Sequence, residues 1–277
     1  FMINWSRTFR GLALGELAPS HERCANWMSM GSLPPGEAPL GMEVAPQDEP
    51  PPDPASMPSF MKGTESCIVP FSRDVLGRLK AEANAGLATG TWVSTDDVVT
   101  ARTWRAMCAV RWGQLAPDCR PTTTTILRAV NFRDRCEPPL GPGYCANGVA
   151  QCMTQLSVQE LLEGSDAAVA LALRASVNAL TPEKLAARAQ WMHATQSAGR
   201  KARSQFTPLT FIVSSWAFAG RQWDDADFGQ RPCLFDHGAL VPIVATIHPR
   251  PRGEGLTVYH TGTAEAVEEF ARLAAAE

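Results

Sequence analysis

No apolar run in the 277 residues approaches the roughly 18 to 20 that a membrane-crossing helix needs. The opening Phe1-Met2-Ile3-Asn4-Trp5 lacks the basic start and apolar core of a secretory leader. Positive charge is not in excess either: 25 Lys and Arg against 28 Asp and Glu leave a net charge of −3, too little to neutralise a phosphate backbone. Neither a nucleic-acid nor a membrane partner is therefore expected. Cysteines stand at 24, 67, 108, 119, 136, 145, 152 and 233 with no Cys-x-x-Cys pair. Tight ligand spacing is what a zinc site needs, so no metal site is expected, and the thiols read as reduced and mostly buried in a cytoplasmic protein. There is no Gly-x-x-x-x-Gly-Lys-Ser/Thr loop, Gly141-Pro142-Gly143 is not a dinucleotide fingerprint, and no Gly-x-Ser-x-Gly elbow occurs.

What is present is 45% apolar and 19% charged, enough for a core in one or two domains. Residues 1–13 carry Phe1, Ile3, Trp5, Phe9 and Leu12 at amphipathic spacing, ending near Gly11. Nine of the 22 prolines fall between Leu33 and Pro58, which reads as a linker or surface crossover. Cys67–Phe71, Thr122–Asn131, Leu209–Ser215, Val241–His248 and Leu256–His260 read as strands. Ser72, the capping boxes Ser94–Asp97 and Ser157–Glu160, and Thr181-Pro182 mark helix starts, and a last helix begins near Thr263 with Val267, Phe270 and Leu273 as its stripe. The helix after Ser94 puts Ala101, Trp104, Cys108 and Trp112 on one face, with Trp104 read as core. Such alternation predicts an α/β (α+β mixed) fold, a mixed sheet covered by helices.

Four segments in order resemble motifs of the BAHD superfamily of acyl-CoA-dependent acyltransferases. Ser94-Thr95-Asp96-Asp97-Val98-Val99-Thr100-Ala101-Arg102-Thr103-Trp104-Arg105 is similar to S-T-x-D-x-x-x-A-x-x-W-R. Asn131-Phe132-Arg133-Asp134-Arg135 and Pro138-Pro139-Leu140-Gly141-Pro142-Gly143-Tyr144-Cys145-Ala146-Asn147 resemble D-x-R-x-R-x-x-P-P-L-P-x-G-Y-x-G-N, with Ala146 in place of the usual glycine. Ser214-Ser215-Trp216 resembles T-S-W. Asp227-Phe228-Gly229 stands where a D-F-G-W-G box belongs, with Gln230 and Arg231 replacing its Trp and second Gly. Trp5 followed by Arg10-Gly11 is similar to the helix after the family's H-x-x-x-D-G motif. The resemblance implies a chloramphenicol-acetyltransferase-like domain at 59–277, a crossover at 33–58, and at 1–32 the remnant of a largely missing front domain.

It further implies an acyl-CoA co-substrate with no bound cofactor, a small-molecule alcohol or amine acceptor, and a monomer when full length. In this chemistry an imidazole takes the acceptor's proton as it attacks the thioester, and hydrogen-bond donors hold the oxyanion. Histidines occur at 21, 193, 237, 248 and 260, and the residues four positions on are Ala25, Ser197, Val241, Arg252 and Ala264. No H-x-x-x-D exists in the chain, so no catalytic residue is assigned. A fragment, inactive alone, is the expectation, with a non-catalytic binding module of the same fold as the alternative. A peptide-synthetase condensation domain fits the Pro-Pro-Leu and Asp-Phe-Gly segments less well. His237 reads as a surface loop residue and His193, beside Trp191, as half-buried.

By the resemblance Asp227 is structural, with Arg133 or Arg135 as its expected partner, and loss of such a buried pair costs roughly 3–5 kcal/mol. Asp227→Ala is accordingly expected to damage folding more than chemistry. Ser214, Ser215, Trp216, Tyr144 and Asn147 are channel candidates, the last two equally readable as plain turn residues. Arg200, Lys201 and Arg203 are candidates for the coenzyme A phosphates, against the plainer reading of a solvated loop or helix end.

Overall fold

The structure, a computed structural model, describes residues 2–13, 38–50, 53, 58, 61–62, 65–141, 143–219, 225–230 and 241–275. Its strands are β1 Met42–Pro46, β2 Glu65–Ser72, β3 Thr123–Asn131, β4 Val149–Ser157, β5 Arg200–Ser204, β6 Thr210–Ser215, β7 Val244–Pro249 and β8 Gly255–Gly262. Its helices are α1 Met2–Phe9, α2 Arg73–Asn84, α3 Thr95–Gln114, α4 Val158–Glu163, α5 Asp166–Asn178, α6 Pro182–Ser197 and α7 Ala264–Ala275. Six strands make one mixed sheet in the order β2-β8-β7-β6-β3-β4. Within it β7, β6 and β3 run parallel, and the flanking pairs are antiparallel. A separate ribbon pairs β1 with β5.

Strand alternation sorts the two faces of the large sheet. The register places Val69, Phe71, Leu256, Val258, Ala245, Ile247, Phe211, Val213 and Ile126 on one face, all of them core. Helices α2, α3, α5 and α7 contribute the other half of that core. The opposite face is rich in hydroxyls: Thr125, Thr210, Ser214, Thr246, His248, Thr257, Tyr259 and Thr261 share it by register. Most of these are buried all the same, His248 at 1% exposure.

Helix α3 is the centre of the packing. Ser94 caps it, its hydroxyl accepting from the Asp97 N–H at 3.1 Å while Asp97 accepts from the Ser94 N–H at 2.8 Å. Val98, Val99, Ala101, Trp104, Met107 and Cys108 are buried along it. The Trp104 indole N–H donates to the Thr124 hydroxyl at 3.1 Å, which donates on to the Leu209 carbonyl at 3.0 Å. The helix thus buries its largest side chain without orphaning the indole donor. The second capping box, Ser157 with Glu160, and Thr181 before Pro182 start α4 and α6 as their sequences predict.

Four elements escaped the sequence reading: β1, β4, β5 and α5. Strand β1 lies inside the proline-rich stretch read as a crossover. Its partner β5 is the basic cluster read as a loop or helix end, so that reading is corrected to a strand held by five register pairs. Among the described residues no helix is long and apolar enough to cross a membrane.

Candidate functional site

Ligands of open sheets collect outside the carboxyl ends of parallel strands. Here β3 and β6 are neighbours, with Arg128 level with Val213. Continuing that register brings Asn131 level with Trp216, so the second and third motifs leave the sheet side by side. Ser214 lies on the hydroxyl-rich face directly beside Thr246. Ser215 Oγ accepts from the Ala217 N–H at 3.4 Å, and the Trp216 N–H donates to the Ile247 carbonyl at 2.7 Å. Trp216 is 39% exposed, and its ring stacks on Phe218 at 6.3 Å between centroids. An exposed flat shelf at this position suits a planar or alicyclic ligand.

Arg133 organises the loop next to it. Its guanidinium donates to the Tyr144 carbonyl at 3.1 Å, the Ala146 carbonyl at 3.0 Å and Asn131 Oδ1 at 3.1 Å, and it sits 5.9 Å from the centre of the Tyr144 ring. Asn147 Oδ1 accepts from the Val149 N–H at 3.0 Å and so starts β4. Tyr144 and Asn147 are therefore held in a loop tied to the end of β3. Arg135 turns away and donates to the Val177 carbonyl at 3.2 Å.

Asp227 does not pair with Arg133 or Arg135. Its carboxylate instead meets the guanidinium of Arg10, and its second oxygen accepts from the Gly229 N–H at 2.8 Å. Gly229 sits at φ 90°, which only glycine adopts without strain. The ring of Phe228 packs edge-on against Trp5 at 5.2 Å and Phe9 at 5.7 Å. The Asp-Phe-Gly segment is thus a dock for α1. The Arg10 and Asp227 side chains are 43% and 49% exposed. An exposed pair contributes at most about 1 kcal/mol, so the expected 3–5 kcal/mol of a buried pair is withdrawn.

The first motif is a buried ionic hub. Asp97, at 0% exposure, accepts from Arg128 and Arg174 as well as from Ser94. Arg128 also meets Asp96, and Arg174 lies 4.4 Å from the centre of the Trp92 ring. Burial alone would raise the Asp97 carboxyl. The Ser94 hydroxyl and N–H, then Arg128 and Arg174, outweigh it and hold the group below its ordinary value. Arg102 and Arg105 both grip Asp166 at the start of α5, and Arg105 also takes the Leu161 carbonyl. These side chains pin α3, β3 and α5 together, a scaffold role that the sequence reading did not assign to Arg128 or Arg174.

The basic cluster divides. Arg203 is engaged by Glu43 and Glu49, so its charge is already balanced and it is withdrawn as a phosphate ligand. Arg200 and Lys201 line a cavity of about 520 Å³ with Gln47 and Gln196. Among the histidines, His21 and His237 lie outside the described residues. His193 is exposed on α6, not half-buried. His248 shares a hydrogen bond of 2.9 Å with the Thr246 hydroxyl and packs edge-on against Tyr259. His260 faces the helices, 4.4 Å from Phe270, and burial pushes it down to about 4. Among the described residues no three His, Cys, Asp or Glu side chains are grouped to hold a metal ion.

The profile of the Transferase family matches residues 1–249. An eremophilane O-acetyltransferase of Penicillium rubens is 27% identical over 136 residues, 48% of this chain and 28% of that protein. A second, from Penicillium roqueforti, is 29% identical over 105 residues, 38% of this chain and 22% of that one. Among solved structures, F. graminearum TRI101 with ethyl coenzyme A superposes with a TM-score of 0.72 at 18% identity, covering 95% of this chain and 58% of that one. Vinorine synthase gives 0.63 at 16% identity, covering 97% and 56%. The chain spans little more than half the length of these structures, and they establish the mixed α/β fold.

Proposed function

The chain belongs to the Transferase family, the BAHD-type acyltransferases, and from that premise we propose that it serves acyl transfer from an acyl-CoA to an alcohol or amine of a small metabolite. The observation that carries this reading is the convergence of two family motifs at the carboxyl ends of β3 and β6, where Trp216 offers an exposed ring. Ser214, Ser215 and Trp216 form one wall of the channel in this proposal. The Arg133-braced loop of Tyr144 and Asn147 forms another. Arg200 and Lys201, two basic residues on the lining of one cavity, take phosphates of coenzyme A. The two curated relatives are named for O-acetyl transfer to eremophilanes, which favours an acetyl donor and a hydroxylated terpenoid-like acceptor. We propose a cytoplasmic reaction and, for the full-length protein, a monomer.

The step needs an imidazole to accept the proton of the hydroxyl or amine as it attacks the thioester carbonyl, and to return that proton to sulfur as the C–S bond of the tetrahedral intermediate breaks and coenzyme A leaves. None of the five histidines is followed four residues later by Asp. His260 is locked in the core. His193 stands exposed on α6, the helix leading into β5 rather than into the strands that carry the motifs. We therefore assign this chain the scaffold and the ligand walls, with the base supplied by a segment bearing His-x-x-x-Asp. In that arrangement α1 is the piece to be placed, and Asp227-Phe228-Gly229 places it.

The test is release of coenzyme A thiol from acetyl-CoA with a sesquiterpenoid alcohol. The 277-residue chain alone is expected to bind acetyl-CoA without turnover, and to support turnover when a family segment carrying His-x-x-x-Asp is joined ahead of α1. Robust turnover by the chain alone overturns the missing base. Binding that never becomes turnover favours the second reading, a ligand-binding module, to which Gln230 in place of the box's Trp lends weight.

A further inference from the structure

A second cavity, of about 540 Å³, opens on the outer edge of the sheet between β4, the start of α6 and residues 38–40. That volume lies within the range of small-molecule sites. Leu40, Cys152, Met153, Leu180 and Ala187 make its walls apolar. Into this lining comes Arg188. Its guanidinium donates to the Gln151 carbonyl at 2.6 Å and to Gln151 Oε1 at 3.3 Å, both neutral acceptors. Among the described residues it makes no ion pair, although 25 basic residues share the chain with 28 acidic ones. Glu183 and Lys184, both exposed and of opposite charge, complete the charged lining and add no net charge to it.

A partly buried guanidinium with donors to spare, on an apolar wall, is half of a recognition site. Its fork matches a carboxylate in two parallel hydrogen bonds. One unpaired cation balances one negative charge, whereas a phosphate dianion would leave a charge buried and uncompensated. We infer that this cavity binds a monocarboxylate with an apolar body, the acid on Arg188 and the chain along Leu40, Met153, Leu180 and Ala187. The surroundings agree: burial pushes the Cys152 thiol up, while Arg128, Arg135 and Arg188 all pull it the other way, so the cavity floor feels positive charge. The cavity shares no lining residue with the acyl-transfer walls proposed at Ser214–Trp216, Tyr144 and Asn147, and its test does not involve turnover.

The test is calorimetric titration of the full chain with decanoate and with methyl decanoate, its uncharged counterpart. Decanoate is expected to saturate one site per chain and to bind roughly tenfold or more tightly than the ester, the fold-change that a charge-assisted pair supplies. Arg188→Gln should erase that preference. Ala187→Trp, which fills the cavity, should abolish binding of both with circular dichroism unchanged. Equal affinity for acid and ester on the unaltered chain overturns the assignment, whatever the variants do. So does the absence of saturable binding at millimolar decanoate.

Discussion

Lowering the pH from neutral to about pH 5 is expected to weaken the fold through one side chain, His260. His260 is 4% exposed, its ring lies 4.4 Å from that of Phe270 at a 40° tilt, and its Nδ1–H donates to the Val244 carbonyl at 3.2 Å. That bond fixes the neutral tautomer, leaving Nε2 as the only place for a second proton. Burial opposes that proton most strongly. The Val244 bond works the other way but is outweighed, and Arg111 adds repulsion, so the group falls from an ordinary 6.5 to about 4. The unfolded chain then binds more protons than the folded one between those two values. Stability is complete above about pH 6.5, declines as pH falls, and stops declining below about 4. The whole shift corresponds to about 3 kcal/mol, of which roughly 2 kcal/mol is lost between neutral pH and about pH 5. Urea unfolding of the unaltered chain and of His260→Gln over this window isolates the residue, because every other titrating group is common to both. The unaltered chain should lose roughly 2 kcal/mol more than the variant. Equal losses would refute the claim that His260 is held neutral in the core.

Asp97→Asn should be severe, about 3–5 kcal/mol by thermal or urea unfolding, because Arg128 and Arg174 are left buried without their shared carboxylate; a loss under about 1 kcal/mol would mean the hub is dispensable. Asp227→Ala should cost at most about 1 kcal/mol. Phe228→Ala, which removes two edge-on ring contacts of roughly 0.5–1.5 kcal/mol each, should cost more and alter Trp5 fluorescence; the reverse ranking would show that the ion pair, not the ring, docks α1. Gly255 has φ 128°, and a Cβ there would sit 1.9 Å from the Phe71 carbonyl oxygen. Gly255→Ala should therefore disrupt the β2–β8 pairing, read as faster amide exchange in β2; unchanged exchange would show that the strands can part without cost.

What could be read from the residues alone was whatever is encoded locally. Both capping boxes, the proline after Thr181 and the β-branched run of β3 announce themselves within a few positions, and the structure forms each of them. Strand β5, Arg-Lys-Ala-Arg-Ser, contains no β-branched residue at all, and β1 ends in a proline. Each exists because the other lies beside it, which no local window shows. The same reason misdirected the partner of Asp227. Arg133 is near in motif order but is consumed by the Tyr144 and Ala146 carbonyls, while Arg10 is 217 residues away in sequence. Hydroxyl alternation in β6, β7 and β8 was legible in hindsight as a face unlike the apolar one. The ionic hub was half visible, since Asp97 was read as a cap and its two arginines were not read at all.

The dock of α1 on Phe228 also sets a timetable for the newborn chain. Trp5 and Phe9 leave the ribosome well before Phe228, the ring they pack against. At about 5–20 residues per second, that gap lasts on the order of 10–40 seconds. Throughout it a short aromatic helix stands with no counterpart, long enough for a chaperone or another nascent chain to seize it. Proper folding of this protein is thus exposed at α1 to whatever else the cell offers two bare aromatic rings.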